Sequence, residues 1–344
     1  MEVASIFISK ILAEAANRDG TSLHLSIGSQ PLLRIDGDLS ALPNENIISQ
    51  DIMSGIISFL LSEEEIVKFN ADKEIVLVRD FSGNLRFRAN IFYQKGLPAV
   101  SFHFIQSTMK SLAELGLPES VSAFTALDSG LLIIAGPFGS GKTTTATAFV
   151  EEINKSEKKY IITLENPIEY LFFNKNSIID QRQIGRDVNS VIDGLNYCLN
   201  EDVDVVYAAE IKNNFTEAIP LVLNLAAGNS LVILEMNADN SIAPIEKILA
   251  AAAATSSRES ACYSLADVLA GVIVQKLLPQ RGGGLALATE VLLVNSAVRS
   301  LIREGKLFQI ESIIQTSRRE GMFSMRKSIE DLIQAGKINQ DSAY

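Results

Sequence analysis

Along the first hundred positions, apolar and polar residues alternate more often than they cluster. SLHLSIG (22–28), PLLRIDGDL (31–39), EIVLVRDF (74–81) and LRFRANIFYQKG (85–96) read as strands of period two, separated by Gly, Pro and Asn turn signals. The stretch from Ile48 to Phe69 reads as helical. The spacing of Ile6, Ile8, Ile11 and Leu12 predicts an amphipathic first helix. Residues 1–106 are thus expected to form a small α+β domain with an antiparallel sheet. Residues 107–120 are expected as a linker, punctuated by Gly116 and Pro118.

From Leu131 the pattern changes. LLIIAG (131–136), KYIITLE (159–165), DVDVVYAAEI (202–211) and SLVILEM (230–236) are nearly continuous apolar runs. They alternate with helical segments at 141–155 and 214–226. Buried strands alternating with helices predict an α/β domain over 121–344, with a parallel sheet covered on both faces. Beyond about residue 258 a helical region is expected to run to the end. LALATEVLLV (285–294) stands out from it as a β-hairpin arm after the turn at Gly282–Gly284.

Composition narrows the function. The 344 residues carry a formal net charge of −11 with a pI near 4.9, which argues against a primary grip on nucleic-acid phosphates or anionic lipid. No apolar run approaches the roughly 18–20 residues that span a bilayer, and the opening lacks the basic flank of a signal peptide. The two cysteines, Cys198 and Cys262, lie in apolar segments and read as reduced core thiols; two histidines are too few for a His-rich metal site.

Residues 136–143 read Gly136-Pro137-Phe138-Gly139-Ser140-Gly141-Lys142-Thr143, with a strand before and a helix after. Glycines at these places let backbone N–H groups turn inward around an anion, and the helix N-terminus adds positive potential. Lys142 is expected on the β- and γ-phosphates, and the Thr143 hydroxyl on Mg²⁺. Glu210 closes the run VDVVYAAE. A carboxylate just past the carboxyl end of a parallel strand faces the crevice where ligands bind, so Glu210 is the candidate to orient a water. Glu165 and Glu169, in TLENPIE, form a second acidic pair. Solvated loop carboxylates remain the plain alternative for all three.

These residues together resemble the type IV pilus retraction ATPases, the PilT and PilU group of the secretion ATPase superfamily. The likeness spans nearly the whole chain. LHLSIGSQPLLRIDGDL resembles the opening strands, LRFRANIFYQKG an arginine-bearing strand and GPFGSGKTTT the Walker A loop. TLENPIEY resembles the acidic box, EDVDVVYAAEIK an atypical Walker B, and VIVQKLLPQRGGG with AVRSLIREGK the C-terminal helical region. The resemblance implies an N-terminal PAS-like domain, a RecA-like P-loop domain, and a homohexameric ring holding ATP and Mg²⁺ between the two domains. It adds Thr144 to the nucleotide-binding set. It also brings Arg86 and Arg88 to the phosphates, although without it they could be a solvated strand face.

The departures are specific. The box E-D-P-I-E carries Asn166 in place of its aspartate. The histidine box, G-H followed by T-L-H-T, appears as GNSLVILEMNAD, which puts Ser230 and Asn237 at the two histidines. Asn196, Asn200 and His103 stand at arginine positions, and Ala209 replaces the glycine before Glu210. Each change is expected to weaken charge sensing and the coupling of phosphate to subunit movement, leaving the phosphate cradle alone.

Two functions follow. One is a motor in which ATP hydrolysis rotates domains and drives pilus disassembly through an inner-membrane platform protein. The other is a hydrolysis-impaired ring subunit working beside a related active retraction ATPase. A P-loop kinase would explain neither the first domain nor the acidic box. Either function implies a cytoplasmic protein, peripheral to the inner membrane through protein partners, with no direct membrane insertion and no nucleic acid.

Overall fold

The computed structural model describes residues 2–18, 20–35, 37–81, 85–105 and 109–342. Two units of mixed α/β structure divide the chain, Met1–Thr108 and Met109–Tyr344. The expected boundary at 106/107 falls outside the described residues.

The first unit holds helices α1 (Glu2–Asn17), α2 (Gln50–Leu60) and α3 (Glu63–Asp72). Its strands are β1 (Ser22–Ser26), β2 (Leu32–Ile35), β3 (Asp38–Ala41), β4 (Glu74–Phe81), β5 (Leu85–Gln94) and β6 (Leu97–Ile105). They form one antiparallel sheet in the order β3-β2-β1-β6-β5-β4. One face buries Leu23, Leu25, Leu33, Phe87, Ala89, Ile91, Val100 and Phe102 against Ile8, Ile11, Leu12, Met53, Ile56 and Phe69 of the helices. Register puts Ser22, Arg34, His103 and Arg88 in one row, and so on the opposite face.

Four sequence expectations change here. Ile6 is 64% exposed, because the buried stripe of α1 runs Ala4, Ile8, Ile11, Leu12, Ala15 at helical spacing. PLLRIDGDL is a tight hairpin, β2 into β3, turning at Gly37 with φ +97°. The helical stretch 48–69 is two helices. The Ser62 side chain accepts from the Glu65 N–H while Glu65 reaches back to the Ser62 N–H, a capping box that starts α3 afresh. LPAVSFHFI, unassigned from sequence, is the central strand β6.

In the second unit the strands are β7 (Gly130–Ala135), β8 (Tyr160–Glu165), β9 (Ile178–Gln183), β10 (Val205–Ala208), β11 (Leu231–Met236), β12 (Leu269–Pro279) and β13 (Leu285–Leu293). The helices are α4 (Lys142–Ser156), α5 (Val191–Asn200), α6 (Phe215–Ala227), α7 (Ile242–Ala252), α8 (Arg258–Val268), α9 (Ser296–Arg303), α10 (Ile310–Thr316) and α11 (Met325–Gln334). The sheet order is β13-β12-β7-β11-β10-β8-β9, parallel except for the β12–β13 hairpin.

Alternate strand residues feed two cores. Leu131, Ile133, Leu164, Val206 and Val232 meet α5, α6, α7 and α8 on one face. Leu132, Ile134, Ile161, Val205 and Ile233 meet Phe149, Val150 and Ile153 of α4 on the other. Leu112, Leu117, Val121 and Phe124, just past the first unit, join this second core.

The expected C-terminal helical region needs correction. VIVQKLLP is the body of β12, which pairs in parallel with β7 and widens the central sheet by two strands. Its apolar run has the length and composition of a buried helix segment, and only its β-branched residues point to a strand. Among the described residues, no helix is long and apolar enough to cross a membrane.

The β7–β12 register slips between Leu269 and Gly271, and Gly271 sits at that slip against Phe124. A Cβ there would stand 2.3 Å from Phe124 Cζ and 2.8 Å from the Leu292 carbonyl oxygen. Gly271→Ala is expected to cost about 1–3 kcal/mol through overpacking, read as a lower denaturant midpoint at unchanged m-value.

Candidate functional site

β7 ends at Ala135 and α4 starts at Lys142, so six residues turn the chain at the carboxyl edge of the sheet. Gly139 and Gly141 take φ of +76° and +87°, where a Cβ is strained. At Gly136 the limit is steric: a Cβ would lie 2.3 Å from Ser140 Oγ and 2.6 Å from the Gln275 carbonyl oxygen. Phe138 is 77% exposed while Ser140 is buried. The first turn of α4 leaves N–H groups with no intrahelical acceptor, at the positive end of the helix dipole. Ser140 Oγ and Gln275 Oε1 are buried with no hydrogen-bond partner among the described residues.

The Lys142 ammonium is buried in this loop. It donates to the carbonyl oxygens of Gly136 (2.9 Å) and Pro137 (3.0 Å) and to Asn237 Oδ1 (2.9 Å). Burial holds its pKa below the ordinary value, with Glu235 and Glu210 opposing. All three acceptors are neutral, so the charge is solvated by the protein without being paired. Asn237 extends the chain: its Nδ2 donates to Glu210 Oε1 at 2.5 Å, and its carbonyl oxygen accepts from Lys247 Nζ of α7 at 2.8 Å. Glu210 lies two residues past the end of β10, half exposed.

Thr143 Oγ1 donates to Glu235 Oε2 at 3.3 Å. Glu235, 4% exposed near the end of β11, accepts at Oε1 from the buried Tyr207 hydroxyl at 2.6 Å. Burial pushes its pKa up to about 7 against the bonds from Tyr207 and Thr143. Glu165, 1% exposed at the end of β8, accepts from Thr163 Oγ1 (2.7 Å) and Gln181 Nε2 (3.2 Å). Burial also raises it to about 7, with the charges of Glu235 and Glu169 adding to the rise. Thr144 Oγ1 shares a hydrogen bond with the Tyr170 hydroxyl at 3.3 Å.

The sheet therefore gathers Gly136–Thr144, Glu210 and Glu165 on one edge, with Glu169 close enough to act on Glu165. Arg86 and Arg88 belong to the first unit, on β5 beside His103 of β6. Arg86 Nη1 bonds the Asp80 carboxylate at 2.7 Å. Burial drives the His103 pKa down to about 4, aided by the charges of Arg88 and Arg34 and by His24, so the imidazole carries no charge near neutrality. Of the histidine-box positions, Ser230 lies away from the loop, donating to the Val203 carbonyl oxygen at 2.7 Å.

Sequence reading missed Glu235, Tyr207 and Gln275, whose Nε2 donates to Thr145 Oγ1 at 2.8 Å. Glu235 did carry a signal. It is the one charge inside SLVILEM, a strand that must be buried on both faces, and a charge there needs a reason.

A glycine loop between a buried parallel strand and a helix N-terminus, with Lys and Thr at its end and carboxylates on neighbouring strand ends, defines a P-loop nucleotide-binding protein. The family model described as type II/IV secretion system protein matches residues 82–282. The chain belongs to that family. It is 30% identical over 340 residues to the type IV pilus retractation ATPase PilT of Pseudomonas aeruginosa, covering 98% of this chain and 96% of that one. A twitching motility protein of Neisseria gonorrhoeae is 31% identical over 314 residues, 91% of this chain and 83% of its own. The crystal structure of the pilus retraction motor PilT with bound ADP superposes with TM-score 0.84 at 33% identity, covering 98% of this chain and 95% of that one.

The raised Glu165 pKa fixes a pH dependence. The folded state holds the proton more tightly than the unfolded state, whose value is near 4.5. This contribution is therefore fully present below about 4.5 and is lost as pH rises through about 7. Glu165→Gln keeps the shape and removes the titration. The melting temperature of the variant minus that of the wild type should grow more positive across this window and level off above it.

Proposed function

We propose that the chain binds ATP at Gly136–Thr144 and hydrolyses it, as a subunit of a motor of the pilus-retraction type. The observation that carries this reading is the network joining Lys142, Asn237 and Glu210 at the sheet edge where the glycine loop opens. Backbone groups of Gly136, Pro137, Phe138, Gly139, Ser140 and Gly141 cradle the phosphates, and the buried, unpartnered Ser140 hydroxyl supplies another polar contact. Lys142 exchanges its neutral acceptors for phosphate oxygens. Glu210 orients the attacking water, while Glu165 and Glu169 set the acidity around it. Arg86 and Arg88 serve as phosphate-binding guanidiniums.

The Thr143 hydroxyl, hydrogen-bonded to the Glu235 carboxyl, is a hard oxygen donor of the kind that suits Mg²⁺, which also takes phosphate oxygens and water. When bound, Mg²⁺ would neutralise charge on the transferring phosphoryl group.

At a coarser scale, the chain works as a homohexameric ring, and its first unit is a PAS-like domain, as the resemblance to retraction ATPases implies. It acts at the cytoplasmic side of the inner membrane through a platform protein, alone or beside a related active retraction ATPase. The full-length resemblance to retraction motors supports this reading.

Single-turnover hydrolysis with the purified chain tests the function. Measurable phosphate release that falls roughly 10²-fold or more in Glu210→Gln is expected. Tight ATP binding without phosphate release would instead indicate a nucleotide-holding ring subunit. Lys142→Ala should weaken nucleotide affinity roughly 10- to 100-fold, the value of a charged hydrogen-bonding group, measured by titration calorimetry. Unchanged affinity in that variant would remove the P-loop assignment.

A further inference from the structure

We propose that Glu235 is the positioning residue of the cation site, accepting the Thr143 hydroxyl proton so that the lone pairs of that oxygen are left for Mg²⁺. The inference rests on the nucleotide reading above and adds to it a residue that no motif of the chain predicts.

The geometry is one-sided. β11 lies between β7 and β10, and Glu235 pairs with Ile134 one residue before the end of β7. The carboxyl is enclosed, and its two oxygens have separate partners. Oε1 accepts from Tyr207, itself fully buried, which fixes the group; Oε2 accepts from Thr143 Oγ1. A hydroxyl has one proton and two lone pairs. Once the proton points to Glu235, the lone pairs point away from it. A threonine whose proton is free to rotate would pay for that orientation when the metal arrives.

Charge gives a second, independent support. Relative to the pattern the chain resembles, Asn166 removes a carboxylate from the acidic box. With Asn237 at the second histidine of T-L-H-T, the first threonine of that pattern is Glu235. One carboxyl is lost on the β8 side of the sheet and one gained on β11, within hydrogen-bond reach of the Thr143 hydroxyl. Burying a carboxyl in a strand enclosed on both faces is costly. Among the described residues its two hydrogen bonds reach Tyr207 and Thr143, so the polar group it can serve outside the core is Thr143.

The test uses the full chain, a fluorescent ADP analogue, and Mg²⁺ titrated from zero, with a parallel measurement in EDTA. Glu235→Gln should raise the half-saturating Mg²⁺ concentration roughly tenfold or more, as loss of an outer-shell partner does, and leave the affinity in EDTA unchanged. Glu235→Thr removes the carboxyl altogether and should move in the same direction, so the outcome does not hang on one variant folding. Thr143→Ala should raise the Mg²⁺ requirement by itself, and adding Glu235→Gln to it should add nothing. An unchanged Mg²⁺ requirement in either folded Glu235 variant would overturn the inference. So would additive effects in the double variant, or a loss of affinity equal with and without Mg²⁺, which marks a structural role. An unmodified chain that binds no nucleotide would remove the nucleotide reading and this inference with it.

Discussion

Strands that run the same way end on the same edge of their sheet, and the polar chemistry of the second unit depends on that constraint. β7, β8, β10 and β11 are hydrogen-bonded neighbours in register. The groups at or just past their ends therefore meet within a few residues' width: the glycine loop, Glu165, Glu210, and the pair Glu235 and Asn237. No loop has to reach for its partner. The register is in turn held by the alternation of Leu131, Ile133 and Leu132, Ile134 into two separate cores, since a one-residue slip would exchange the faces.

The same constraint explains what the sequence made legible. A loop with a fixed glycine spacing and a Lys-Thr end is a local device, and its geometry follows from its own residues. Glu210 and Glu165 were readable because each follows an apolar run, and the polarity of parallel strands says where such residues go. Glu235 was visible only as a charge out of place in an apolar strand; its role was not legible, because it comes from β11 lying between β7 and β10, an adjacency that no local pattern encodes. β12 was hidden for a related reason, although its hairpin partner β13 was legible from LALATEVLLV. A strand buried in a sheet interior and a helix buried in a core have similar apolar composition, and the partner that decides between them, β7, lies far away in sequence. In the first unit, a serine cap divided a long helical pattern in two. Period-two alternation is weak in LPAVSFHFI, because Ala99, Val100, Ser101 and Phe102 are all buried.

Electrostatics in the second unit centre on three enclosed ionisable groups at one sheet edge. Two enclosed carboxyls, Glu165 and Glu235, and one enclosed ammonium, Lys142, sit in a chain whose net charge is already −11. Desolvation acts on all three in the direction of neutrality, raising the acids and lowering the base. Hydrogen bonds to neutral partners hold the carboxyls and the ammonium in place without a direct ion pair between them. Lys142 is thus fixed in position while its charge remains available, whereas a salt bridge to either carboxylate would have to be broken first.

Against this arrangement, the departures from the retraction-ATPase pattern separate into kinds. Ser230 bonds a main-chain carbonyl and belongs to the scaffold. His103, held neutral by burial, does not replace the charge of an arginine. Asn237 is different from both. Its amide oxygen faces Lys142 and its amide nitrogen faces Glu210, so it accepts on one side and donates on the other. A neutral imidazole offers the same two functions on its two ring nitrogens. The substitution therefore keeps the polarity of the link between Lys142 of the glycine loop and the candidate catalytic carboxylate, and gives up only the imidazole's capacity to take a proton. At this position a hydrogen-bonded link between Lys142 and Glu210 is present in a form that does not titrate.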